Sequence, residues 1–265
     1  MIREIERLVD SISQNSKVSS IAVSGEVPDS LEKVEGDIDV FVYCSDIPGL
    51  SEREAILSGF DGIRVSKEPT PNWGFCDFLL LGGVETWVMY FSQKETSAEI
   101  DSILAGEFIT KQNNYFYPTG RCAMLKNFSV LIDRRGFLKD LIASIQAYPE
   151  ILQSKLVQHH FTGLEDFEDL ERATKKCDVL FFHFALDLAI DSFLQLLFAL
   201  NGEFFPGRKR TLQFLCRFSL KPWRCGERLL EIIELSGSGR SLGQALKAWK
   251  NLASDLLFLV SEPDG

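Results

Sequence analysis

No two cysteines in this chain are spaced as a CxxC pair, and only three histidines occur among its 265 residues. The spacing that builds a structural zinc site is therefore missing, and so is the dense cysteine framework of a small secreted domain. Cys44, Cys76, Cys122, Cys177, Cys216 and Cys225 read instead as reduced and mostly buried thiols, which fits a cytoplasmic protein. Basic charge is also in short supply: 28 Lys and Arg stand against 38 Asp and Glu, a formal charge of −10. That balance excludes a broad basic face for phosphate backbones, although local basic patches remain open, so no nucleic-acid partner is expected. The opening "MIREIERLVDSIS" lacks the apolar centre of a signal peptide and repeats its apolar residues at helical spacing. One long apolar run exists, residues 179–200, but His183, Asp187 and Asp191 interrupt it, so it reads as the buried helix of a bundle and no membrane partner is expected. Internal repeats and low-complexity tracts are absent.

What the chain does have is 45% hydrophobic residues, enough to fill a substantial core, arranged in two styles. Up to about residue 120 helical and strand patterns alternate. "VSSIAVSG" and "DIDVFVYC" read as strands, "SEREAILSGF" as a short helix, "GIRVSKE" as an extended piece, and "FCDFLLL" and "VETWVMYFS" as a hairpin turning at Gly82-Gly83. "SAEIDSILAGEF" returns to helix. Beyond that point the strand patterns fade, and 122–133, 136–147, 149–160, 164–200, 207–218, 224–235 and 241–260 carry helical composition, punctuated by Pro149, Pro206 and Pro222. The expected fold class is α+β, with a mixed sheet and helices over 1–120 followed by an all-α domain over 121–265, the boundary falling near "NNYFYPTG".

The chemistry concentrates in Asp37-Ile38-Asp39. In a strand, residues i and i+2 share a face, so the two carboxylates point together while Ile38, Val40 and Val42 point into a core. Like charges so close repel unless a cation lies between them. Mg²⁺ suits the pair, because it takes oxygen ligands and is commonly shared between carboxylates and nucleotide phosphates. A solvated, polar start to a strand is the alternative.

The surroundings of the pair sharpen this. Gly25-Glu26 at the end of one strand is followed by the ten residues "VPDSLEKVEG" and then by Asp37-Ile38-Asp39. This arrangement resembles the nucleotidyltransferase superfamily, whose pattern is Gly-Ser, ten residues, Asp-x-Asp. The helical half extends the resemblance, since "LFALNGEFFPGRKRTLQFLCRFSLKP" and "LIDRRGFLKDLIASIQAYPEIL" are similar to stretches of nucleotidyltransferase-like proteins related to antibiotic-modifying enzymes. The resemblance implies Mg²⁺-dependent transfer of a nucleoside monophosphate from an NTP, expected to be ATP, to a hydroxyl of a small-molecule acceptor such as an antibiotic. It also implies that Asp37 and Asp39 bind the metal, that Gly25 shapes a phosphate-binding turn, and that a third carboxylate serves as metal ligand or base. Glu85 is the expected third carboxylate and Asp77 the runner-up. Glu26 departs from the pattern, because a carboxylate replaces the serine that would bind phosphate; Ser24 lies one residue early. A degenerate member that binds or regulates without catalysis is the rival reading, and an enzyme that nucleotidylates proteins is another.

Other candidates are secondary. Lys209, with Arg208 and Arg210, forms a basic patch at a helix start, where it opposes the helix dipole; phosphate contact across the domain cleft is the functional expectation for Lys209. His159-His160 point apart on a helix and make a poor metal clamp, and His183 reads as a satisfied core histidine. Tyr115, Phe116 and Tyr117 read as packing at the domain boundary.

Overall fold

The computed structural model describes residues 3–25, 27, 30–107 and 117–261. The chain forms two compact units, Met1–Ser102 with Arg121–Ala147, and Ile103–Gly120 with Tyr148–Gly265.

The first unit begins with α1 (Arg3–Ser13), whose Ile5, Leu8, Val9 and Ile12 are all buried, as their helical spacing predicts. Then follow β1 (Val18–Ser24), a 3₁₀ turn (Leu31–Lys33), β2 (Ile38–Cys44), α2 (Leu50–Leu57), β3 (Asp61–Arg64), β4 (Phe75–Leu81), β5 (Val84–Ser92) and α3 (Gln93–Leu104). The unit closes with α4 (Pro118–Lys126), β6 (Phe128–Asp133) and α5 (Phe137–Ser144). Among the described residues the strands make one six-stranded sheet in the order β3-β4-β5-β2-β1-β6. Only the β2–β5 pair in it is parallel. The α+β class read from the sequence is the class of the structure.

Most of the predicted elements form where the patterns place them. The β4–β5 hairpin turns at Gly82-Gly83, with Leu81 opposite Val84, and both glycines take positive φ (57° and 90°), the conformation that a two-residue hairpin turn demands. The expectation of helix over 122–133 holds as far as Lys126, the end of α4, and is corrected beyond it. Residues 128–133 are strand β6, paired antiparallel with β1 at the sheet edge. "FSVLID" is too short and too evenly half-buried to show a period, so only its pairing identifies it. Residues 121–147, grouped with the helices in the sequence reading, thus belong to the unit that contains the sheet.

One face of the sheet packs Ile21, Val23, Val40, Val42, Val88 and Tyr90 against α1 and α2 residues such as Leu8, Ile12 and Leu57. The other face is aromatic: Phe41 and Tyr43 lie against Phe91 and Phe128, and Tyr43 also meets Phe137. On the first face sits a charged pair, Arg53 and Asp77, at 1% and 0% exposure. Arg53 also donates to the carbonyls of Pro48 and Ser66 and stacks 4.5 Å over the Phe75 ring, while Asp77 accepts from the Ser66 backbone N–H at 2.9 Å. Burial drives the Asp77 carboxyl above the ordinary range, against the lowering effect of Ser66 and Arg53.

The second unit contains α6 (Glu150–Glu165), α7 (Glu168–Lys176), α8 (Val179–Leu200), α9 (Thr211–Arg217), α10 (Cys225–Ser236) and α11 (Leu242–Ser261). The continuous helical pattern of 164–200 breaks at Cys177, which has φ +53°, and Asp178 then caps α8 by accepting from the Phe181 N–H. Helix α8 has the length and apolarity of a membrane span, with half of its most apolar stretch buried inside the protein. Phe182, Phe193, Leu197 and Phe198 fill the core of this unit with Trp249 and Leu252 of α11. The histidine reading is also corrected: His183 is exposed beside Ser236, its Nε2 3.3 Å from the hydroxyl, whereas His160 is the buried one. Of the thiols, Cys44, Cys122 and Cys225 are buried and Cys177 and Cys216 exposed, and all six are unbridged.

Two stability predictions follow from these buried groups. Asp77→Asn would leave the Arg53 charge buried without its counter-charge, so urea unfolding is expected to show a loss of about 3 kcal/mol; a loss well under 1 kcal/mol would mean that the pair does not hold this face. His160 has its pKa pushed down to about 4, first by burial and then by His159, with Asp191 and Gln195 opposing. Its neutral form is therefore the one that folding accepts. Stability is full above the unfolded value near 6.5 and declines as the pH falls toward 4, by up to about 3 kcal/mol. Melting curves across that range should show the decline in the native chain and a shallower one in His160→Gln; identical slopes would count against it.

Candidate functional site

Asp39 is the second residue of β2, and Asp37 stands one residue ahead of the strand. Alternation puts Ile38, Val40 and Val42 into the α1–α2 core, so Asp39 points to the opposite, aromatic face, and stepping back two residues brings Asp37 to that side. Asp37 is exposed and Asp39 partly so.

Register decides the neighbours. In the parallel pairing Asp39 lies opposite Trp87 and Ile38 opposite Thr86, which sets Glu85 level with Asp37 on the same face. Glu85 is exposed at the beginning of β5. Asp77, the runner-up third carboxylate, lies two strands away, level with Val40 on the other face, and is committed to Arg53, so that assignment is corrected. On the other flank Val23 lies opposite Val40, so Ser24 falls beside Asp39, and Gly25 follows with φ +75°. A Cβ at Gly25 would meet nothing within 4 Å, so conformation rather than space calls for glycine. The turn is tied to β6: the Gly25 N–H donates to the Asn127 carbonyl at 2.8 Å, and the Ser129 hydroxyl donates to the Gly25 carbonyl at 2.6 Å. Glu26 lies outside the described residues.

Across the sheet the row continues. Trp87 lies opposite Phe78, and Phe78 opposite Arg64 of β3. The Phe78 and Trp87 rings meet edge to face at 5.1 Å, and the Arg64 guanidinium sits 4.1 Å over the Phe78 ring. Cys76 shares the neighbourhood: burial chiefly, then the charges of Asp77 and Asp39, push its thiol upward, while the Thr70 hydroxyl opposes. Trp87, Arg64 and Ser129 are the residues that sequence reasoning missed, since nothing in their local patterns marks them and only strand register brings them beside Asp39.

Among the described residues no three His, Cys, Asp or Glu side chains converge tightly enough to hold a metal ion by themselves. Two carboxylates on one face nonetheless suit Mg²⁺, which usually keeps several waters and takes one or two carboxylates together with substrate phosphates.

Lys209 is exposed in the second unit, just ahead of α9. Its neighbour Arg208 is engaged within that unit, donating through Nε to Asp191 Oδ1 at 2.6 Å and pairing with Asp187. Tyr117 donates to the same Asp191 oxygen at 2.7 Å and packs edge-on against Phe205, so its ring serves packing, as expected. Tyr115 and Phe116 lie outside the described residues.

Comparison with known proteins adds the following. The model of a domain of unknown function, DUF4037, matches residues 116–210, the segment that carries Tyr117, Asp191 and Arg208. No curated protein matches the chain. The solved structure of a nucleotidyltransferase-like protein from Exiguobacterium sibiricum 255-15 is similar over 99% of this chain and 80% of its own length, at 10% identity and a TM-score of 0.49.

Proposed function

We propose that the first unit binds an NTP through Asp37 and Asp39 with Mg²⁺ and transfers its nucleoside monophosphate to a hydroxyl of a small-molecule acceptor. The observation behind this reading is the convergence, at one end of β1 and β2, of a positive-φ glycine turn with two carboxylates on one sheet face. Turns of this kind can present backbone N–H groups to phosphate oxygens, although the Gly25 N–H itself is taken by the Asn127 carbonyl. Asp37 and Asp39 would hold Mg²⁺, whose positive charge would offset that of the donor's phosphates. Strand β2 fixes the orientation of Asp39, and Asp37 stands one residue ahead of it. Glu85, level with Asp37, is assigned as the base: its carboxylate takes the proton of the acceptor hydroxyl as the oxygen bonds to the α-phosphorus. The bond from that phosphorus to its bridging oxygen breaks, and pyrophosphate leaves. ATP is the donor we assign, and an antibiotic is one acceptor class in keeping with the resemblance.

A second reading is favoured by the lack of a convergent trio of ligands among the described residues: a fold that binds nucleotide and regulates a partner without transfer. The two readings part at product formation. Labelled ATP and Mg²⁺, incubated with the protein and a metabolite extract, should give a labelled adduct and pyrophosphate under the first reading and neither under the second.

Asp37→Asn and Asp39→Asn are each expected to weaken Mg²⁺-dependent ATP binding at least about tenfold, with folding intact, because each removes one of two charged ligands. Loss of like-charge repulsion in the metal-free protein should hold the melting temperature level or raise it. Calorimetry showing native ATP affinity in both variants would overturn the assignment. Glu26→Ser should tighten ATP binding if the glutamate repels phosphate.

A further inference from the structure

The row of opposed residues across the sheet does more than position Asp39. From Asp39 the same face presents Trp87 one strand away, Phe78 two strands away and Arg64 three strands away, at about 4.8 Å per step. Phe78 is buried at 6% exposure and acts as a support, holding the edge of Trp87 on one side and the guanidinium of Arg64 on the other. Trp87 itself stays partly exposed, and Arg64 is exposed. Among the described residues the Phe78 ring is the partner of the Arg64 guanidinium, which leaves its five N–H donors available for a ligand. A flat ring system bordered by carboxylates on one side and a donor fork on the other is a platform with a polar stop at each end.

We propose that Trp87 is the surface on which the nucleobase of the bound nucleotide stacks, with Arg64 donating to acceptor atoms on the outer edge of that base. The inference rests on the nucleotide reading of Asp37 and Asp39. It goes further in assigning the base a place, since a base one ribose removed from phosphates held at Asp39 falls over the neighbouring strand. Stacking on an aromatic side chain is tolerant of base identity, because every base has a π-face. The Arg64 fork supplies the directional part of recognition.

The test uses the full chain and three probes in calorimetry: ATP with Mg²⁺, adenosine, and inorganic tripolyphosphate with Mg²⁺. Trp87→Ala is expected to weaken ATP and adenosine roughly tenfold and to leave tripolyphosphate unchanged. Trp87→Phe, which keeps a ring, should stay close to native affinity for all three. Arg64→Ala should weaken ATP and adenosine several-fold and spare tripolyphosphate. Native affinity of Trp87→Ala for ATP, while the native chain still binds tripolyphosphate, overturns the platform and leaves the metal reading standing. A native chain that binds adenosine but neither phosphate probe does the reverse, and one that binds none of the three overturns both. If circular dichroism shows Trp87→Ala unfolded, Arg64→Ala decides the matter, because native affinity for adenosine in that variant refutes the contact.

Discussion

The parallel register between β2 and β5 is the constraint on which the candidate site depends. Side chains alternate along a strand with a period of two, so a slip of one residue would turn Asp39 into the α1–α2 core and bring Val40 out to solvent. Such a slip is opposed from both faces at once. Val40, Val42 and Val88 are tied to the aliphatic side, and Phe41, Tyr43 and Phe91 to the aromatic side. The Asp39 carboxylate near the start of β2 is thus held in place by packing further along the strand. Rigidity of this kind is what a site needs if its charged groups are to keep their geometry without substrate.

How far the sequence disclosed this depends on whether each feature is local. The glycine turn at Gly25, the alternation through Asp39 and the Gly82-Gly83 hairpin were legible because each is a pattern within a few residues. Strand β6 was not, because "FSVLID" carries a short apolar run that fits helix or strand equally and becomes a strand only by pairing with β1, about a hundred positions earlier in the chain. Asp77 and Glu85 show the same limit. Both are acidic residues in strands of one hairpin, and only the register tells that one is locked against Arg53 inside the core while the other lies beside Asp37. The shelf of Trp87, Phe78 and Arg64 combines three strands, and only their pairing register, not a local pattern, brings the three side chains into one row.

In the helical unit the polar groups at the core's margin have a different character. Tyr117, Asp191 and Arg208 satisfy one another within hydrogen-bonding distance, bringing together residues from the two ends of the segment matched by the domain model. Polar networks in a low-dielectric core specify one packing arrangement when fully satisfied and penalise the alternatives. A helical bundle whose core is otherwise apolar has few other means of fixing helix order, and this network supplies one.

The pairing of β6 with β1 has a bearing on how the protein can be divided. A fragment ending near residue 107 would retain the turn, both aspartates and the hairpin, yet it would leave the outer edge of β1 with its N–H and C=O groups unpaired from Ser20 to Ser24. An exposed strand edge is a template for adding a foreign strand, so such a fragment would tend toward self-association rather than fold as a smaller independent unit. During synthesis the same edge stays uncovered until residues 128–133 have emerged, so β1 is open to foreign pairing until that point.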